Sequence, residues 1–69
     1  MIQELVGKRI REVRKEKGFS QEELAARADL DRTYMTSVEC GRRNISIVNL
    51  NKIAKALGVT LEELFRGIE

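Results

Sequence analysis

Arg32, Thr33, Thr36 and Ser37 fall at i, i+1, i+4 and i+5, so a helix carries them on one side. One guanidinium and three hydroxyls on an exposed helical face can hydrogen-bond to the base edges and phosphates of a major groove. Gln21 opens the helix before this one, where free backbone N–H groups and the positive end of the helix dipole attract a phosphate. Arg42, Arg43 and Asn44 follow the presenting helix as a basic, polar connection placed for phosphate contact. Each residue also has a plainer reading. Arg32 and the Arg42–Arg43 pair could be solvated charges, and Thr36 and Ser37 small polar groups that permit close approach. For Thr33, support of the helix start and a methyl contact with thymine stand level. Tyr34 either packs half-buried or reaches a phosphate with its hydroxyl.

Two short helices must hold these side chains, and residues 21–40, QEELAARADLDRTYMTSVEC, supply them. Leu24, Ala25 and Ala28 line one face of the first; Met35 and Val38 line one face of the second. Ala25 is small where two steeply crossed helices need their backbones close. Ala28-Asp29-Leu30-Asp31 forms the turn, with Asp29 in the left-handed conformation that Asp tolerates and Asp31 as N-cap of the second helix. This is the sequence form of a helix-turn-helix.

The flanking segments complete an all-α fold. Residues 2–16 read as a first helix with Ile2, Leu5, Val6, Ile10 and Val13 in one apolar stripe, stopped by Gly18, after which Phe19 packs back. Ser20 and Glu23 make a capping box for the second helix. The third runs from about Arg32 to Cys40 and ends at Gly41. Ser46 caps a fourth helix over 47–57, whose apolar face is Ile47, Leu50, Ile53, Ala54 and Leu57. Thr60 and Glu63 cap a fifth beginning at Leu61. A domain this small cannot hide Leu61, Leu64, Phe65 and Ile68 together, so the surplus predicts a partner surface, most simply that of a symmetric homodimer built on residues 45–69; the plainer alternative is that they only seal the bottom of the core.

Composition bounds the chemistry. In 69 residues, 42% hydrophobic and 35% charged, there is one folded unit with no Pro to break a helix. With one Cys and no His, a zinc site, a Ser-His-Asp triad and a Cys-His pair are all implausible, and the chain reads as no enzyme. No membrane span or signal peptide is visible, and one Cys cannot close an internal disulfide, which together predict a cytoplasmic setting. Net charge is only +2. Its distribution is polar: residues 8–17 and 32–44 are basic, while Glu62, Glu63 and Glu69 make the far end acidic, turned away from a polyanion. Cys40 reads as an inert small side chain rather than a redox switch.

SQEELAARADLDRTYMTSVECGRRNIS followed by LNKIAKALGVTLEELF resembles the Xre/Cro/cI-type helix-turn-helix regulators over about residues 5–66, and LDRTYMTSVECGRRN resembles the restriction–modification controller proteins within them. The resemblance implies a compact five-helix, lambda-repressor-like domain that binds a palindromic operator as a dimer. It implies base contacts from Arg32, Thr33 and Ser37, phosphate contact from Gln21, a place near the DNA backbone for Tyr34, Arg43 and Asn44, and a buried ion pair between Arg14 and Glu39. Two departures bear on this. Asp29 stands where the family usually has Gly, so strain is expected there. Cys40 stands where controllers often carry a basic or polar residue, so one phosphate contact is expected to be missing. The expected function is sequence-specific binding of double-stranded DNA to regulate transcription, with half-sites about 34 Å apart. If the controller likeness extends to the target, the protein acts on its own promoter. No cofactor is implied, and RNA polymerase is a further candidate partner through acids such as Glu22, Glu23 or Asp29. The rival from another class is an antitoxin-like protein-interaction module using the fifth helix. RNA binding is disfavoured by the three aromatics and the lack of a stacking platform.

Overall fold

The computed structural model describes residues 1–68; Glu69, counted above in the acidic end, lies outside them. Five helices follow in order: α1 (Ile2–Glu16), α2 (Gln21–Ala28), α3 (Arg32–Glu39), α4 (Ile47–Leu57) and α5 (Leu61–Leu64), with no strand among the described residues. α1 packs on α3, α2 packs on α4 and on α3, and α5 closes the end of the bundle against α1 and α4.

The helix starts are set by local chemistry. Ser20 Oγ accepts the Glu23 N–H at 3.0 Å while the Glu23 carboxylate accepts the Ser20 N–H at 2.9 Å. Thr60 and Glu63 repeat the arrangement at α5. Hydrogen bonds from the Ser20 backbone and hydroxyl hold the Glu23 carboxyl below the usual range, and Thr60 does the same to Glu63. Asp31 Oδ1 accepts from the N–H groups of Thr33 (2.8 Å) and Tyr34 (3.3 Å), and Ser46 Oγ from that of Asn49 (3.1 Å). α3 is one residue shorter than expected, since Cys40 is its C-cap.

The α2–α3 turn needs a left-handed residue, and Asp29 takes φ 57, ψ 46. The Leu30 N–H then reaches back to the Ala25 carbonyl at 2.9 Å, ending α2 and turning the chain toward α3. Two glycines fix close approaches. A Cβ on Gly7 would run into the Val38 carbonyl oxygen and lie 2.9 Å from that of Glu39, so α1 meets the end of α3 backbone to backbone. Gly41, at φ +75, would put a Cβ 2.8 Å from Glu4 Cα.

The core comprises Val6, Ile10, Val13, Leu24, Ala25, Ala28, Met35, Val38, Ile53, Ala54, Leu57 and Leu64, with Phe19 packed against it. Three expected core residues lie outside: Ile2, Leu5 and Ile47 are 55%, 44% and 73% exposed. Periodicity places them on the apolar face, but they stand at helix starts where no other element covers them. Leu64 is corrected in the opposite sense. Expected at a partner surface, it is wholly buried, because α5 is one turn long and points this residue straight into the core. Leu61, Phe65 and Ile68 are half-buried against it. Arg9 fixes α5 in place: its Nε donates to the Leu64 carbonyl and its Nη2 to that of Glu63, both at 2.9 Å.

Candidate nucleic-acid interface

α3 is held from behind by a continuous hydrogen-bonded path. Arg14 grips Glu39 with two bonds, Nε to Oε2 at 2.8 Å and Nη2 to Oε1 at 3.0 Å, and its Nη1 donates to the Phe19 carbonyl at 2.9 Å. The Glu39 side chain is 3% exposed, so the carboxylate is almost fully desolvated and depends on these donors. Gln21 Nε2 adds a third, to Glu39 Oε1 at 3.1 Å. The Thr36 hydroxyl lies 2.8 Å from Gln21 Oε1 and 3.0 Å from the Arg32 carbonyl, so its single proton is shared inward. The path runs from α1 through the end of α3 and the start of α2 back to the middle of α3.

This changes what two candidates can offer. Gln21 and Thr36 already use their side chains on each other. Gln21 keeps one N–H and its backbone position at the helix start for an external partner, and Thr36 keeps its methyl and lone pairs. Thr33 is exposed and Ser37 half-exposed; among the described residues no hydrogen bond engages either side chain. Arg32 is exposed, and its Nη1 donates to Glu22 Oε2 at 3.1 Å. An ion pair open to water on both sides is weak and readily exchanged.

The second group lies past α3. Arg42, Arg43 and Asn44 are all exposed. The Arg43 guanidinium stands 5.3 Å from the centre of the Tyr34 ring, within cation–π range. Gln3 of α1 donates to Asn44 Oδ1, anchoring the loop. Tyr34 is half-buried, and its hydroxyl accepts from Asn49 Nδ2 at 3.0 Å. Thus Gln21, Arg32, Thr33, Thr36 and Ser37 cluster along α3 and the start of α2, while Tyr34, Arg42, Arg43 and Asn44 border the following loop. Nothing in the sequence pairs Glu22 with Arg32, Asn49 with Tyr34 or Gln3 with Asn44, since nothing local marks a partner 10, 15 or 41 positions away. Among the described residues no group of His, Cys, Asp or Glu could hold a metal ion, and no helix is long and apolar enough to cross a membrane.

Known proteins resemble this chain over most of its length. A family model for Helix-turn-helix domains matches residues 10–64. The control protein C.MunI of a Mycoplasma species is 56% identical over 91% of this chain and 86% of its own length. The structure of the restriction–modification controller protein C.AhdI from Aeromonas hydrophila superposes with a TM-score of 0.89 at 49% identity, over 91% of this chain and 96% of that one. The controller C.Esp1396I, solved as a tetramer in complex with its natural 35 base-pair operator, gives a TM-score of 0.88 at 38% identity, over 94% of this chain and 86% of that one. By these matches and by its fold, the chain belongs to the helix-turn-helix family, among the restriction–modification controller proteins.

Proposed function

We propose that this protein is a sequence-specific regulator of transcription that binds double-stranded DNA as a homodimer, placing α3 of each protomer in the major groove of a palindromic operator. The observation that carries this reading is the state of α3: locked from behind by Arg14, Glu39, Gln21 and Thr36, with Arg32, Thr33 and Ser37 left facing outward. Arg32 forks onto guanine O6 and N7, and Thr33 and Ser37 read neighbouring positions. Gln21, Tyr34, Arg42, Arg43 and Asn44 contact phosphates and set the register. Occupancy follows protein concentration through the dimer equilibrium, which suits control of a restriction–modification operon from its own promoter. A polymerase contact would fall to Asp29, or to Glu22 once Arg32 turns to a base, because Glu23 is held by its capping box.

The dimer surface in this proposal centres on the start of α4. Ile47 and Val48 are 73% and 63% exposed. A groove of about 350 Å³ stands open, with an apolar lining of Ile2, Val6, Ile45, Leu50, Phe65 and Ile68 and with Arg43 and Asn44 of the phosphate-contacting loop at its polar edge. Leu61 completes the α5 side, and Leu64 belongs to the core. Ile47→Asp leaves the fold intact and gives a monomer in ultracentrifugation; a persisting dimer would place the interface elsewhere. The antitoxin-like reading uses the same apolar face for a different protein, and the following experiment separates the two. Duplexes bound from a random pool at about 0.15 M salt should be enriched in a palindrome with half-sites one helical turn apart. Only weak, salt-sensitive binding without enrichment would reject the regulator.

A further inference from the structure

Tyr34 joins the two halves of the interface, and its surroundings assign its hydroxyl a direction. The oxygen accepts from Asn49 Nδ2 at 3.0 Å. Asn49 sits in the first turn of α4, where Ser46 Oγ holds its backbone N–H at 3.1 Å. An amide NH2 can only donate, so the phenol's own proton is not used on Asn49. No described residue accepts it. With one lone pair filled from the protein side, the hydroxyl presents its proton outward, and accepting one bond strengthens the one it donates. Arg43 over the ring adds a positive charge beside it, so the acceptor favoured at this place is an anionic oxygen.

We propose that Asn49 is a positioning residue for DNA binding: by donating to the Tyr34 hydroxyl it aims that hydroxyl's proton at a phosphate, without touching DNA itself. This rests on the regulator reading above. It separates two kinds of phosphate contact in one patch. Arg43 neutralises a phosphate and displaces counterions, whereas the Tyr34–Asn49 unit is neutral and displaces none.

The test uses the duplex that the wild-type protein selects. Tyr34→Phe weakens binding roughly tenfold and Asn49→Ala about threefold. Adding Asn49→Ala to Tyr34→Phe weakens it no further, because the two act as one unit. Asn49→Asp binds worse than Asn49→Ala, since a carboxylate takes the phenol proton for itself. The slope of log K against log salt stays at its wild-type value in Asn49→Ala and flattens in Arg43→Ala. Tyr34 is the only tyrosine and there is no Trp, so the tyrosine doublet in the Raman spectrum of the free protein reports this one hydroxyl, and Asn49→Ala shifts it while the melting temperature holds. An equal loss from Asn49→Ala with and without Tyr34, or an unmoved doublet, overturns the role of Asn49. Arg32→Ala on the same duplex is the control. If it loses affinity while Asn49→Ala does not, only the positioning role fails; if no duplex is selected, both readings fall.

Discussion

On the α2–α3 side, the polar side chains behind the surface are already engaged, Glu39 by Arg14 and Gln21, Thr36 by Gln21 and Tyr34 by Asn49, while Arg32, Thr33 and Ser37 face outward. On the side formed by α5 and the starts of α1 and α4, Ile2, Leu5, Ile47 and Val48 stand in water, and an apolar groove between Ile2, Leu50, Phe65 and Ile68 ends at Arg43 and Asn44. The first side is rigid before it meets a partner, so little ordering opposes binding and the direction of each donor can discriminate. The second has area but few directional groups, so it favours association without fixing much beyond it. A DNA-binding regulator needs the first kind of surface to tell one sequence from another; the second kind is where chains assemble.

The contrast can be broken from either side, beginning with the largest effect. Leu64→Asp puts a charge into the core rather than at an interface, and should remove more than about 4 kcal/mol of stability and leave the chain unfolded in circular dichroism. A folded Leu64→Asp monomer would return Leu64 to the partner surface. Glu39→Ala strands the Arg14 guanidinium and should cost about 3–5 kcal/mol, seen as a fall in melting temperature of more than about 10 °C. Little change would mean that the path behind α3 is ornamental. Arg32→Ala should leave stability unchanged and weaken operator binding by about 1–3 kcal/mol, with specificity relaxed at one base pair. Equal loss on every sequence would reduce Arg32 to a phosphate contact. The smallest effect is that of pH. Glu23 and Glu63 have carboxyls held below their unfolded value by their caps. Their contribution is therefore present above the unfolded carboxylate range, about pH 4.3, and disappears as pH falls through the lower folded values. Ser20→Ala should flatten that acid-side slope in thermal melts without altering the melting temperature's response near neutrality.

What could be seen in the sequence follows from the range of each signal. Ser20 with Glu23, Asp31, Ser46, and Thr60 with Glu63 act within three residues, and the helices begin where those residues stand. Asp29 adopts the left-handed turn expected of it. Periodicity gave the inward side of α1 and α4 but not the length of helix that other elements cover, hence the misplacing of Ile2, Leu5 and Ile47. A single helical turn has too few residues to show in sequence which way Leu64 faces. At the interface, residue types on α3 were legible from their spacing. The partners Glu22 and Asn49 were not, because what they do depends on where other helices put Arg32 and Tyr34. Gly7 carried no visible signal, since its meaning lies in the Val38 and Glu39 carbonyls that pass over it.

The Arg9 clamp ties the first helix to the last. Arg9 lies on α1, and the carbonyl that its Nε holds belongs to a residue 55 positions later. No other side-chain hydrogen bond among the described residues joins residues so far apart in sequence, and the entropy lost in closing a loop grows with its length, so this contact is among the costliest of the fold to close. Phe65 and Ile68 follow the turn that Arg9 holds, so the wall they give the groove depends on it. What a one-turn helix cannot secure by its own length is thus secured by a side chain from the opposite end of the fold.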